Sequence, residues 1–212
     1  MSLARLQIWS ALVLLTISCS SQSPSDSGDQ KSVRISLPSL SGPDEWTADP
    51  TSSLTLLIRE RLFGVWKTTE LNLPLAGSLK LDSDGGVVAT LSGDLRQIQS
   101  DDKRRDEYLL GTVFTSEASG VFSCSTRTVP SSEVPETLPF LLSGTCSIMG
   151  TKSSVSFQID NLSYDGVIEV RGSALLSLDA FGVPDISQEP VVKVARQAEA
   201  QFGVRFVNGK RG

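Results

Sequence analysis

Apolar and polar residues alternate with a period of two through most of the chain after residue 53, and few structures other than β-strands fit this pattern. Every second residue is large and apolar in segments 54–58 and 155–159, and every second residue is apolar from Ala198 to Phe206. Such alternation predicts strands that bury one face. Counting these segments gives about eight antiparallel strands, joined mostly by short turns such as the one predicted at residues 82–86.

Eight antiparallel strands form either a sandwich or a closed barrel, and such a barrel either fills with side chains or holds one small ligand. Small residues occur on several apolar faces, namely Gly144, Gly172, Ala174, Ala198 and Ala200. They favour a lumen with free volume, although small residues also mark places where strands curve or cross closely. The pattern therefore predicts an all-β fold whose interior is either a lumen or a solid core.

One short segment interrupts the strands and has helical character. Asp101 or Asp102 can accept hydrogen bonds from the free amides of a helix N-terminus, and a helix is predicted near residues 103–110. Gly111 is placed to end it. Within this helix, Arg105 either pairs with a carboxylate or, at a barrel mouth, holds the polar headgroup of a ligand.

The N-terminal residues have the pattern of an export signal. Arg5 precedes an apolar run at residues 8–17, which is too short to span a bilayer. Leu-Thr-Ile-Ser-Cys at residues 15–19 is similar to a bacterial lipobox, in which Cys19 would receive diacylglycerol. We expect a lipoprotein signal peptide at 1–18, a flexible Ser- and Pro-rich tether at 19–43, and a folded domain at 44–208. The alternative is an ordinary secretory peptide.

The residue after Cys19 bears on localisation. Ser20 is not the aspartate that, by resemblance to other lipoproteins, retains a protein at the inner membrane. We therefore expect a lipid-anchored protein of the cell envelope, on the outer membrane and facing the periplasm.

Two cysteines remain once Cys19 is assigned to lipid. If segments 121–128 and 140–149 pair as a hairpin centred near Pro135, Cys124 faces Cys146. Facing positions of an antiparallel pair bring Cβ atoms within reach of a disulfide, and an exported protein meets an oxidising compartment. The alternative is two buried free thiols.

Composition excludes several functions. With 24 acidic and 19 basic residues the net charge is −5, which is a poor match to nucleic acid. The chain has no histidine, which rules out Ser-His-Asp and Cys-His catalysis, ordinary zinc sites and His-ligated haem. We therefore expect a protein that is not an enzyme, with no catalytic residues, metal or cofactor. Acidic turns near Asp82 and Asp101 are more typical of solvated turns and caps than of calcium sites.

Several segments resemble the YceI-like family. The most specific is Arg-Asp-Glu-Tyr-Leu at 105–109, and the others are segments 46–53, 92–95, 121–125, 142–150 and 180–183 together with Phe114. The resemblance spans roughly Trp46 to Val207. The family usually places a histidine beside the serine that precedes its first strand, whereas this chain has only Ser52 there.

The resemblance implies an eight-stranded antiparallel lipocalin-like barrel that encloses a polyisoprenoid or similar long-chain lipid, as a carrier or a store. Arg105 is the candidate for contact with a headgroup. The residues expected to line the lumen are Leu54, Leu56, Ile58, Tyr108, Phe114, Phe122, Leu142, Ile148, Phe157, Ile168, Val170, Ala174, Leu176, Phe202 and Val204. The alternative function is a structural or adhesive envelope module, with a packed barrel and a protein partner.

Overall fold

The computed structural model describes residues 45–81, 86–115, 120–127, 137–187 and 191–209. The predicted signal peptide, Cys19 and the tether lie outside the described residues. So do Pro135 and most of the turn predicted at 82–86.

The described part of the chain forms β-strands and one short α-helix. The strands are β1 (Trp46–Ala48), β2 (Ser53–Leu62), β3 (Val65–Pro74), β4 (Ala76–Leu81), β5 (Val87–Asp94), β6 (Val121–Arg127), β7 (Phe140–Ile148), β8 (Thr151–Tyr164), β9 (Ile168–Ser177) and β10 (Val192–Asn208). The helix α1 (Lys103–Thr112) lies between β5 and β6, preceded by a 3-10 turn at Leu95–Gln97.

These strands form a closed antiparallel barrel. The pairing runs β1-β4-β5-β6-β7-β8-β9-β10, and β1 pairs again with β10, which closes the ring at eight strands. β2 lies end to end with β1 along β10, and β3 lies end to end with β4. The predicted all-β fold, an eight-stranded antiparallel lipocalin-like barrel with a short helix, is confirmed.

The break between β1 and β2 is held by hydrogen bonds to β10. The Ser52 hydroxyl, only 2% exposed, accepts a hydrogen bond from the Arg205 amide at 3.1 Å, and the Arg205 guanidinium pairs with Asp49 at 3.0 Å. Hydrogen bonds from Thr51 lower the pKa of Asp49 below its usual value, although burial opposes the shift. Ser52 thus fixes the register where the barrel closes.

The last strand is longer than expected. The sequence predicts a turn or bend at residues 191–194 followed by a strand at 198–207, whereas β10 runs from Val192 to Asn208. The pairing with β2 shifts between Val194 and Ala198, so an irregularity inside the strand replaces the bend.

Two of the small residues have a different role from the one predicted. A Cβ on Gly144 would lie 2.7 Å from the Ser125 carbonyl oxygen and 2.9 Å from the Phe157 ring. A Cβ on Gly172 would lie 2.2 Å from the Gln158 carbonyl oxygen. These glycines allow neighbouring strands and rings to approach closely, and they do not create open lumen at their own positions.

Helix α1 begins as predicted and ends later. The Asp102 side chain accepts a hydrogen bond from the Arg104 amide at 2.9 Å, which makes Asp102 the N-cap. Gly111 lies inside the helix, so the prediction that it ends the helix is wrong. Leu109 and Val113 are buried together against the barrel, and this packing carries the helix past the glycine. No helix in the described ranges is long and apolar enough to cross a bilayer.

Candidate ligand-binding site

The barrel interior contains an apolar cavity of about 140 Å³, which we call the main cavity. It lies toward the end where β4 meets β5, β6 meets β7, and β8 meets β9. Its described lining residues are Leu54, Leu75, Leu79, Val87, Ala89, Leu91, Phe122, Cys124, Thr126, Phe140, Leu142, Cys146, Phe157, Ile159, Leu162, Ile168, Val170, Leu176, Ala200, Phe202, Val204 and Phe206. A solid side-chain core, the alternative left open by the sequence, is not what the structure shows.

The chemistry of the main cavity is almost wholly hydrocarbon. Thr126 supplies the one hydroxyl among its described lining residues, and none of these residues is charged. An ionised group enclosed there would lose its hydration without gaining a partner, which is strongly unfavourable. A single water needs roughly 10–15 Å³ of cavity volume measured in this way. The main cavity can therefore hold about ten groups the size of a water or a CH₂ group. The site therefore suits an apolar chain.

A second cavity, the helix-side cavity, lies between the barrel and α1 and measures about 80 Å³. Its described lining residues are Leu56, Ile58, Leu71, Leu95, Ile98, Leu109, Val113, Phe114, Phe122, Ile148, Leu176, Leu178, Val183, Pro184, Ile186, Val194 and Arg196. Arg196 is the charged member of this set. Its guanidinium pairs with Asp179 at 2.7 Å and donates hydrogen bonds to the backbone carbonyls of Val183 and Pro184. This cavity is therefore also an apolar space.

Phe122 and Leu176 line both cavities. Phe122 is on β6 and Leu176 on β9, so their side chains reach inward from separate strands. Together they form the partition between the two spaces.

Most of the residues that the sequence predicted to line a lumen do border these cavities. Those at the main cavity are Leu54, Phe122, Leu142, Phe157, Ile168, Val170, Leu176, Phe202 and Val204, and those at the helix-side cavity are Leu56, Ile58, Phe114, Phe122, Ile148 and Leu176. Ala174 is buried in the core and borders neither. Tyr108 is 40% exposed on α1 and borders neither, so its assignment to the lumen is corrected.

Sequence reasoning missed part of the lining. Leu79 of β4, Val87 of β5 and Leu75, between β3 and β4, line the main cavity but were not assigned to the lumen. Ile98, Leu109 and Val113 belong to the helix-side cavity. The four-residue spacing of Leu109 and Val113 could have identified the inward face of α1, since residues four apart share one face of a helix.

Arg105 contacts protein groups and lines neither cavity. Its guanidinium pairs with Glu60 of β2 at 3.0 Å and with Asp101 at 2.8 Å, and it donates a hydrogen bond to the Ser100 hydroxyl at 3.1 Å. Burial alone would lower the pKa of Arg105, but the hydrogen bond to Asp101 and the charge of Glu60 raise it. These contacts hold α1 to the barrel, and the contact of Arg105 with a headgroup stays a prediction.

The pair of cysteines is bonded. Cys124 of β6 lies directly opposite Cys146 of β7, and a disulfide joins them. The predicted disulfide is therefore supported, and both cysteines also line the main cavity.

Within the described ranges no group of three or more His, Cys, Asp or Glu residues is placed to hold a metal ion. Asp101 pairs with Arg105, and Asp102 caps α1, so both have the structural roles that the sequence favoured. Asp82 and Asp84 lie outside the described residues.

A closed eight-stranded antiparallel barrel with one short helix and an apolar interior defines the lipocalin-like class of folds. No family model matches the sequence, and no curated protein does either.

Solved structures do share the fold. A polyisoprenoid binding domain from Saccharophagus degradans, implicated in plant cell wall breakdown, aligns over 79% of this chain and 99% of its own, with a TM-score of 0.59 and 14% identity. BcnA from Burkholderia cenocepacia aligns over 74% of this chain and 98% of its own, with a TM-score of 0.58 and 15% identity. At these identities the likeness establishes the fold, which is the one expected from the resemblance to the YceI-like family.

Proposed function

We propose that this chain is a YceI-like protein that binds a polyisoprenoid or similar long-chain lipid inside its barrel and serves as a carrier or a store. The observation that carries the proposal is the main cavity, whose described lining has no charged residue and one hydroxyl. The fold shared with a polyisoprenoid binding domain supports the choice of ligand class.

The energetics favour a chain that fills both cavities. Burial of each CH₂ group contributes about 0.8 kcal/mol, so about ten groups in the main cavity give about 8 kcal/mol before the costs of association. Those costs are about 4–15 kcal/mol. A chain confined to the main cavity would therefore bind weakly, and one that extends past Phe122 and Leu176 into the helix-side cavity would bind more tightly.

The polar end of such a ligand belongs outside the barrel. Neither cavity offers a charged side chain that lacks protein partners among the described lining residues. The hydrocarbon is then the part recognised, through its length and thickness, and the headgroup contributes little selectivity.

The proposal includes anchoring in the cell envelope. The lipobox-like residues 15–19, the tether at 19–43 and Ser20 support a protein held through lipidated Cys19 on the outer membrane, facing the periplasm. The disulfide between Cys124 and Cys146 fits an oxidising compartment.

The experiment compares the amount of lipid bound by two variants. Each introduces one phenylalanine into β5, on opposite faces of the strand. Ala89 lines the main cavity, whereas Thr90, the next residue, is exposed on the outer face. The full-length protein is purified from bacterial envelopes, and non-covalently bound lipid is extracted with organic solvent and identified by mass spectrometry.

The expected result is one long-chain lipid per protein in the unchanged chain and in Thr90→Phe, with much less in Ala89→Phe. Loss of lipid from Ala89→Phe alone would locate it in the main cavity. Equal lipid in all three, or none in the unchanged protein, would overturn the proposal.

A further inference from the structure

The turn between β2 and β3 has an unusual residue at its most exposed point. Phe63 and Gly64 form it, with φ angles of 47° and 87°. Positive φ at both central positions is typical of a tight hairpin turn, in which Asn, Asp or Gly normally takes the first place. Phe63 holds this strained position with its side chain 82% exposed. The fold therefore gains little from a phenylalanine there.

A second hairpin shows what such a residue does when it serves the fold. Met149 and Gly150, between β7 and β8, have φ angles of 53° and 82°, which is nearly the same geometry. The Met149 side chain, however, is partly buried against both core clusters. Packing offsets the strain at Met149, whereas the exposed ring of Phe63 receives no such compensation. When a non-glycine residue has a strained backbone and its side chain gains no packing in return, the residue points to a role other than stabilising the fold.

Further apolar side chains and cations surround Phe63. Val65 is 70% exposed and Trp66 is 43% exposed. The guanidinium groups of Arg59 and Arg61 lie 5.2 Å and 5.9 Å from the centre of the Trp66 ring. We call residues 59–67 the hairpin tip. It carries three cations and one acid in a chain whose net charge is −5.

The single acid of the hairpin tip is buried and offsets the charge of one of its three cations. Glu60 is buried, and its carboxylate pairs with both Lys67 and Arg105. The tip thus presents aromatic and aliphatic side chains beside arginines. Tryptophan and phenylalanine beside basic residues are typical of surfaces that lie at the boundary between lipid headgroups and acyl chains.

We propose that the hairpin tip inserts into the surface of an anionic lipid bilayer. The arginines match the negative charge of anionic headgroups. Leu56 and Ile58, earlier on the same strand, line the helix-side cavity, so this contact would bring that end of the barrel to the membrane.

The test measures bilayer contact at Trp66 in the full-length chain reconstituted into vesicles. The vesicles contain brominated phosphatidylglycerol, or brominated phosphatidylcholine as the neutral comparison, because bromine quenches a nearby tryptophan. Subtracting the signal of Trp66→Phe removes the contribution of Trp46 and, where residues 1–18 have not been cleaved, that of Trp9. In the anionic vesicles we expect quenching that can be assigned to Trp66. In the neutral vesicles we expect this quenching to be smaller by about two-fold or more.

Two variants separate membrane contact from folding. Phe63→Asn supplies a residue that suits the turn, so the protein should become no less stable while quenching of Trp66 falls about two-fold or more. The double change Arg59→Gln and Arg61→Gln should also reduce quenching in anionic vesicles. Arg171→Gln, an exposed change on β9, is the control and should have no effect. Absent quenching of Trp66, or quenching unchanged by Phe63→Asn, would overturn the proposal.

Discussion

At the scale of single residues, the Glu60 carboxylate joins two elements that are distant in sequence. It accepts a hydrogen bond from the Thr69 hydroxyl at 2.6 Å and pairs with Lys67 at 3.1 Å and Arg105 at 3.0 Å. Burial tends to raise the pKa of Glu60, but the hydrogen bonds from Thr69 and Lys67 and the charge of Arg105 lower it overall. The ionised carboxylate is therefore the form that holds α1 against the β2–β3 hairpin.

The lowered pKa of Glu60 predicts a pH-dependent contribution to stability. Because the folded pKa lies below the ordinary value of 4.5, the contribution is fully present above that value and is lost as pH falls through the folded pKa. We expect Glu60→Gln to lower the free energy of unfolding by about 1–3 kcal/mol near neutral pH, and by less in acid. Urea unfolding at both pH values measures this. Glu70→Gln, on the exposed face of β3, is the control, and an equal loss at both pH values would contradict the prediction.

At the scale of strands, close packing sets which residues the barrel tolerates. Gly172 on β9 lies under the Phe202 ring, and Phe202 packs edge to face on Phe157 with ring centres 5.9 Å apart. A side chain at Gly172 would meet the backbone of β8 before it met the lumen. The glycine is therefore required by the approach of two strands and two rings.

Gly172→Ala should destabilise the barrel. Its Cβ would lie 2.2 Å from the Gln158 carbonyl oxygen, which cannot move without disturbing the ladder between β8 and β9. We expect a loss of about 1–3 kcal/mol in urea unfolding. Gly203→Ala, on β10, is the matched control because no atom lies within 4 Å of the added Cβ. Similar stabilities for the two variants would show that the strands have room to separate.

The disulfide links β6 to β7 and should contribute strongly to stability. Cys124 and Cys146 are 22 residues apart, and closing a loop of this length in the unfolded chain is worth about 3 kcal/mol. We expect the double change Cys124→Ala and Cys146→Ala to lose about that much in urea unfolding. The unchanged protein treated with reductant should behave like the double variant, and a reductant effect that persists in the double variant would point to another cause.

The sequence predicted those strands in which burial alternates, because burial of one face gives the period of two that the pattern detects. The whole of β3 was missed, because residues 65–68 are all exposed and burial alternates only in the second half of the strand. Tyr108 was assigned to the lumen, whereas Leu109 and Val113, four residues apart, form the buried face of α1 and Tyr108 is exposed. The partition at Phe122 and Leu176 depends on strands distant in sequence, which no local pattern records.

At the scale of the whole molecule, the side chains of Phe122 and Leu176 separate the two cavities. If the proposed ligand is correct, Phe122→Leu should widen the passage and shift the extracted lipid toward longer hydrocarbon, at a cost of about 1–2 kcal/mol in stability. Mass spectrometry of extracted lipid gives the length distribution. Phe140→Leu makes the same chemical change at a residue that borders only the main cavity, and it should leave the lengths unchanged. A shift in both variants or in neither would contradict the partition.

The barrel is closed by its shortest strand. β1 spans Trp46–Ala48 and meets β4 at two positions and β10 at three, so fewer hydrogen bonds hold this seam than hold the longer pairings elsewhere. Regions with few protecting contacts open most often, and amide exchange in β1 should accordingly be faster than in the middle of β9. If the proposed lipid is bound, a seam that separates while the rest of the cylinder stays intact would give the hydrocarbon a sideways path through the wall, so it need not pass lengthwise between the turns.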